Sequence, residues 1–108
     1  MHVLALAIEV HLPASRSLKH KRAVLRPLLD GIRSRYPGVA VAETNHQDRW
    51  QRAEIGVAAV SGSARTVREL LDEVERFVWS FPDLEVLTMR RYWAEETDDE
   101  VFDEDASD

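Results

Sequence analysis

Hydrophobic residues recur along the chain with two different periods, and their order predicts the secondary structure. In residues 3–10, large apolar side chains occupy the even positions and small or polar side chains occupy the odd positions. This period of two is typical of a strand with one buried face. Similar short patterns predict three further strands, at residues 39–44, 54–60 and 84–92.

Two stretches instead repeat their apolar residues with helical spacing. Ser17 is a fair N-cap for a helix over residues 18–35, and Ser63 is a fair N-cap for a second helix over residues 64–80. Pro27 falls inside the first helix. Because proline lacks a backbone N–H, we expect it to kink this helix or to divide it.

The predicted order of elements is β-α-β-β-α-β, which identifies a fold class. With right-handed crossovers, this order gives an α+β, ferredoxin-like domain in which two helices cover one face of a four-stranded antiparallel sheet. We expect one domain over residues 1–93. Residues 94–108 contain too little apolar material to pack and predict a disordered acidic tail.

Composition narrows the classes of function. The chain has 108 residues and no cysteine, which excludes a disulfide framework, thiol catalysis and cysteine-ligated metal sites. The first apolar run is much shorter than the roughly 20 residues that a membrane helix needs. These features predict a cytoplasmic protein without a membrane partner.

Charge is separated along the chain. Residues 16–35 contain seven Lys or Arg and a single acid, whereas residues 95–108 contain nine acids and no base. The formal net charge is −6, yet residues 1–94 carry fourteen bases against eleven acids. The acidic tail therefore gives a negative net charge to a chain whose first 94 residues are mildly basic. Basic surfaces attract phosphate groups.

The basic residues of the first helix form a stripe. At 100° per residue, Lys19, Arg22, Arg26 and Arg33 lie within about 60° of one another, and Arg16 precedes them at the helix start. Such a line of cations could follow a nucleic-acid backbone, giving affinity without sequence choice. The alternative, which we slightly favour at this point, is an ordinary solvated helix face.

The segment between the second and third strands is unusually polar for a hairpin connection. Its candidate residues are His46, Gln47, Asp48, Arg49, Trp50, Gln51 and Arg52. Trp50 could stack on an unpaired base while Arg49 and Arg52 hold phosphate. In the alternative that we favour, Trp50 folds back on the core, and His46, Asp48 and Arg52 tie down the loop.

Catalysis receives little support from these residues. His46 could act as a general base oriented by Asp48, but no nucleophile is evident. Glu9, His11 and Glu43 are possible metal ligands, yet no HxH or HExxH spacing occurs. We therefore predict no catalytic residue, no metal and no cofactor.

The other face of the sheet is predicted to be flat and unhindered. Its first and third strands would present small apolar residues, namely Ala5, Ala7, Gly56 and Ala58. These strands offer no aromatic stacking platform, which argues against RNA binding on the sheet. We favour homodimerisation through this face, and the alternative is a thinly covered monomer face.

Two segments carry a family resemblance. They are Ser15-Arg16-Ser17-Leu18-Lys19-His20-Lys21-Arg22 and His46-Gln47-Asp48-Arg49-Trp50-Gln51-Arg52-Ala53-Glu54-Ile55-Gly56-Val57. With them, residues 1–93 resemble the YlxP-like family of small bacterial proteins. The resemblance implies a ferredoxin-like fold and supplies no catalytic residues. The family's genes often neighbour those for translation and ribosome maturation, which implies contact with RNA or the ribosome.

Two functions therefore remain open. The first is an accessory factor that binds RNA or the ribosome through the basic helix and the polar loop. The second is a dimeric protein-interaction or small-ligand module without catalytic activity. An enzyme dependent on His46 or a metal is the least favoured reading.

Overall fold

The computed structural model describes residues 1–94, which form a four-stranded sheet with two helices on one face. The strands run in the spatial order β2-β3-β1-β4, and every neighbouring pair is antiparallel. This order and the two helical crossovers define the ferredoxin-like α+β fold. The elements are β1 (His2–His11), α1 (Leu18–Arg35), β2 (Val39–Asn45), β3 (Arg52–Ser61), α2 (Ala64–Trp79) and β4 (Glu85–Trp93).

The core lies between the sheet and the helices. The apolar even residues of β1, from Leu4 to Val10, are buried as their alternation predicts, and they meet Ile55 and Val57 from β3. Helix α1 contributes Leu28 and Ile32, while α2 contributes its own apolar stripe of Val67, Leu71, Val74 and Val78. Burying these side chains stabilises the fold by roughly 1.5–3 kcal/mol for each large aliphatic residue.

Helix α1 begins where its sequence predicts and continues through its proline. The Ser17 hydroxyl accepts a hydrogen bond from the His20 backbone N–H, which satisfies one of the free donors of the first turn. Of the two outcomes expected at Pro27, a kink or a division, the division is wrong, because a single helix spans Leu18–Arg35. Pro27 lies on the exposed side of α1, where water can satisfy the carbonyl that loses its partner.

The two helices approach closely at one glycine. A side-chain carbon at Gly31 would lie 2.6 Å from the Phe77 ring, which is closer than packed atoms allow. The Phe77 ring also packs edge-on against Tyr36 and Phe81. Gly31 therefore allows α2 to place an aromatic ring directly against α1.

Helix α2 and the strands match their predicted positions to within two residues. Neither described helix is long and apolar enough to cross a membrane. The predicted disordered tail, apart from its first residue Ala94, lies outside the described residues.

Candidate functional site

The β2–β3 loop, residues 46–51, begins with an unusual backbone conformation. His46 has a φ of 62°, in the left-handed region that a residue with a side chain rarely adopts. Its N–H is held by Asn45 Oδ1 at 2.8 Å, and its carbonyl accepts from Arg49 N at 3.0 Å. Such a conformation persists only where surrounding contacts enforce it. These contacts turn the His46 side chain towards β1.

Glu9 on β1 receives that side chain. Glu9 Oε1 lies 3.0 Å from His46 Nε2, and Glu9 Oε2 accepts from Arg52 Nε at 3.0 Å and Nη2 at 2.8 Å. An ionised carboxylate only accepts, so the His46 Nε2 atom carries the proton that it shares. The hydrogen bond from His46, followed by those from Arg52, lowers the pKa of Glu9 below its ordinary value.

A buried lysine supports the same loop from the helix. Only 2% of Lys21 is exposed, whereas the nearby stripe residues Lys19 and Arg22 are exposed to solvent. Its Nζ donates to the His46 carbonyl at 2.7 Å and forms an ion pair with Glu43 Oε2 at 2.6 Å. Apart from this ion pair, Glu43 Oε2 has no hydrogen-bond partner within residues 1–94. Lys21 thus links α1 to both β2 and the loop.

Gln51 completes the connection at the other end of the loop. Its side-chain amide donates to the carbonyls of Pro13 and Ser15, at 3.2 Å each. Its own carbonyl accepts from Leu12 N at 2.9 Å. The two segments that carry the family resemblance are therefore in direct contact, where β1 ends and α1 begins.

Trp50 points away from this junction. It is 55% exposed, so the prediction that it folds back on the core is wrong. The loop is held through hydrogen bonds of His46, Gln51 and Arg52, and it needs no aromatic anchor. Asp48, Arg49 and Trp50 line a shallow depression, and all three are exposed. Asp48 makes no described contact with His46, whose carboxylate partner is Glu9.

The basic stripe of α1 is divided into free and engaged cations. Lys19, Arg22 and Arg26 are exposed and have no ion pair or hydrogen bond to another described residue. Arg33 is engaged, since it contacts Asp30 Oδ1 and the Val41 carbonyl, each at 3.3 Å. Arg16 is exposed at the start of the helix. A shallow groove of about 200 Å³ follows the stripe, and its charged lining residues are Arg22, Arg26, Asp30, Arg33 and Glu43.

The open face of the sheet contains a shallow apolar groove of about 420 Å³. The four residues predicted there line it, together with Ala40 and Ala42 of β2 and Tyr92 of β4. The alternation of β2 points Val39 and Val41 towards the helices, and this signal could have identified the two further alanines. Thr44 covers Gly56 so closely that a side-chain carbon there would lie 2.6 Å from its methyl group.

Tyr92 changes one sequence-based expectation. Strands β1 and β3 carry no aromatic side chain on this face, as predicted, but the edge strand β4 supplies one beside the groove. Tyr92 lies on the open face because it pairs with Ala5 where β4 runs alongside β1. A β-bulge in β4 near Leu87 shifts the alternation, so the sequence pattern alone could not assign the face of Tyr92.

A second, polar hollow of about 200 Å³ adjoins the apolar groove. Its lining residues are Ala7, Glu9, Arg52, Glu54, Thr88, Arg90 and Tyr92. Glu9 is paired with Arg52, and Glu54 accepts from the Thr44 hydroxyl at 2.8 Å. Arg90 is exposed and has no ionic partner within residues 1–94. Residues 1–94 contain no group of three or more His, Asp or Glu side chains that could hold a metal ion.

Together these observations define a small ferredoxin-like protein whose two motif segments meet at one end of the sheet, beside a basic helix face. The chain belongs to the family described as "Protein of unknown function (DUF503)", whose profile matches residues 3–91. It is 40% identical over 77 residues to the "Uncharacterized protein YlxP" of Bacillus subtilis (strain 168), a match covering 71% of this chain and 83% of that protein.

Solved structures with a similar chain path include two designed proteins. The "De novo designed protein Foldit4" is 11% identical and gives a TM-score of 0.54, covering 90% of this chain and 100% of that chain. A designed protein described as having a ferredoxin fold gives a TM-score of 0.46 at 11% identity, covering 94% and 93% of the two chains.

Proposed function

We propose that the protein is an accessory factor that binds RNA, alone or within the ribosome, through the basic face of α1 and the β2–β3 loop. The observation that carries this proposal is that Lys19, Arg22 and Arg26 share one exposed helix face and have no ionic partner within residues 1–94. A cation without a competing ionic partner is available to form a charge-assisted hydrogen bond to a phosphate group. We expect such a factor to act in the cytoplasm.

The loop supports the proposal because it is held against the start of the same helix. Gln51 bonds to the Ser15 carbonyl, so the exposed Arg49 and Trp50 lie near the beginning of the basic stripe. A tryptophan face can stack on an unpaired base, and each such contact contributes about 1–3 kcal/mol. The combination favours RNA in which a backbone segment adjoins an unpaired base.

The test is salt-dependent binding of the full-length chain to single-stranded and duplex RNA. Replacing Lys19, Arg22 and Arg26 together by Glu is expected to abolish most binding and to flatten its salt dependence, because phosphate contacts release counterions. Trp50→Ala is expected to weaken single-stranded RNA binding roughly tenfold, with little effect on duplex RNA.

A matched control is available on the second helix. Arg65, Arg68 and Arg76 are exposed on α2, and replacing them by Glu changes the net charge by the same amount. This control is expected to retain clearly more binding than the α1 variant. Equal losses in the two triple variants would mean that net charge alone attracts RNA, and the proposal would be rejected.

The second candidate function is a protein-interaction or small-ligand module, including a homodimer, that uses the open sheet face. The observation that favours it is the apolar groove with its alanine floor, which neither helix covers. Monomeric surfaces rarely leave contiguous apolar patches without a binding role. The groove is shallow, so a protein surface fits it better than a small molecule, which needs a concave site.

A further inference from the structure

We propose that the open sheet face binds a second copy of this chain, with β4 of each copy packed over β2 of its partner. The proposal rests on the second candidate function for its choice of surface, and it adds the partner and the arrangement. It does not depend on RNA binding.

Shape complementarity provides the first argument. Three of the four strands present small side chains on this face, in rows that the strand register aligns: Ala40, Ala58 and Ala5 form one row, and Ala42, Gly56 and Ala7 form the next. Tyr92 and Arg90 continue these two rows on β4, and both are large and exposed. One side of the face is therefore raised and the other side is low.

A two-fold axis parallel to the strands makes this asymmetry self-complementary. Such an axis lies in the interface, keeps each row at the same level and exchanges β4 with β2. Tyr92 of one copy then faces the low row containing Ala40 in its partner, and Ala7 faces Gly56. Sheets pack face to face about 10 Å apart with their strands nearly aligned, as this axis requires.

Charge complementarity supports the same arrangement. Arg90, which lacks an ionic partner within the described chain, would lie over Ala42 of the second copy. Glu54 of that copy lies in the next row of side chains, at the end of the apolar groove. Its long side chain can reach the Glu54 carboxylate across the interface. Glu9 would face Glu54 as well, but Glu9 already has an ionic partner in Arg52 and a hydrogen bond to His46. The second copy thus supplies the ionic partner that Arg90 lacks within residues 1–94.

The area of the face is sufficient for a specific dimer. The strands have seven to ten residues, and at a spacing of about 4.8 Å they give a face of about 30 Å by 19 Å, or about 570 Å² for each copy. The total of about 1,100 Å² clears the roughly 1,000 Å² expected of a specific interface and lies below the range of stable ones, so we expect a reversible dimer. A small ligand would leave most of this surface exposed.

Sedimentation equilibrium of the full-length chain tests the charge pair. We expect a monomer–dimer equilibrium whose dissociation constant rises at least tenfold in Arg90→Glu and in Glu54→Arg. The double variant, which retains the parent net charge, is expected to recover most of the affinity. The matched control Arg76→Glu reverses an exposed arginine on α2, away from this face, and is expected to leave the equilibrium unchanged.

Engineered cysteines test the arrangement itself, since the chain contains none. In one copy, residues 40 and 92 belong to the two outer strands, about 14 Å apart, which is too far for a disulfide. Facing Cα atoms of two sheets about 10 Å apart are also too distant for a disulfide, but they lie closer than the two sites within one copy. A variant with Ala40→Cys and Tyr92→Cys is therefore expected to form covalent dimers with a short bismaleimide whose reach is below about 14 Å, more readily than Ala40→Cys alone.

Several results would overturn the proposal. They are a monomer at every concentration, single charge reversals that match the parent, and a cysteine pair that cross-links no better than the single cysteine. RNA binding is measured separately, so a monomer that binds RNA would remove the dimer and leave the first proposal standing.

Discussion

At the scale of single residues, Glu9 is the polar group that joins β1 to the β2–β3 loop. It holds His46 and Arg52, which lie at opposite ends of the β2–β3 loop. The sequence identified all three residues as candidates, but it paired His46 with Asp48. Spacing along the chain cannot reveal a partner on another strand, and only the sheet order brings Glu9 to the loop.

The lowered pKa of Glu9 predicts a pH dependence of stability. Because its pKa is depressed in the folded state, its stabilising effect is complete above the ordinary carboxyl range and is lost as the pH falls through the folded value. We expect Glu9→Gln to lower the free energy of unfolding by roughly 1 kcal/mol near neutral pH. The difference from the parent should shrink towards about pH 3.

Urea unfolding of both proteins, from about pH 7 to about pH 3, measures this effect. Glu73→Gln is a suitable comparison, since Glu73 is exposed on α2 and has no ion pair among the described residues. A difference between Glu9→Gln and the parent that stays constant across the pH range would contradict the prediction.

At the scale of elements, α1 is bonded to β2 and the loop as well as packed on the sheet. Lys21 provides the link, because its Nζ reaches both the His46 carbonyl and the Glu43 carboxylate. A lysine stem can pass through apolar surroundings while its ammonium group reaches polar partners. Helical spacing left Lys21 outside the basic stripe, but it could not reveal the partners of this lysine on β2 and in the loop.

Lys21→Met is expected to destabilise the protein by about 2–3 kcal/mol, because it leaves the partly buried Glu43 carboxylate without its partner. Lys19→Met makes the same change at an exposed position and should alter stability by less than about 0.5 kcal/mol. Chemical denaturation of both variants distinguishes them. Adding Glu43→Leu to Lys21→Met is expected to restore part of the loss, and equal stabilities of the two methionine variants would refute the role of Lys21.

The elements themselves could be predicted from sequence because their signals are local. The alternation in β1, the serine caps and the polar loop all act within a few residues, and each located its element correctly. The positions of Trp50 and Tyr92 could not be predicted in the same way. Trp50 depends on whether the core has room for it, and Tyr92 depends on a bulge that changes the alternation of β4.

At the scale of the whole molecule, a mildly basic body is followed by a strongly acidic C-terminal segment. Residues 95–108 lie outside the described part, but their nine acids change the net charge from +3 to −6. A segment of that charge repels RNA phosphates and competes for the basic face. The full-length chain should therefore bind RNA more weakly than its basic surface alone would allow.

Replacing the nine acids of residues 95–108 by Ser or Gly at unchanged length is expected to tighten RNA binding and steepen its salt dependence. Filter binding at two salt concentrations measures both quantities. A variant with the same composition in scrambled order serves as the control and should behave as the parent. If the neutral tail binds no more tightly than the parent, the acidic segment does not regulate the basic surface.

The contact between Arg33 and the Val41 carbonyl has a consequence for solution behaviour. Strand β2 is at one margin of the sheet, where backbone groups have no neighbouring strand to bond. Such margins can recruit another chain and grow into aggregates, and natural proteins guard them with charged or bulky groups. By occupying one carbonyl of this margin and placing a positive charge beside it, Arg33 makes the uncontrolled addition of further strands less favourable.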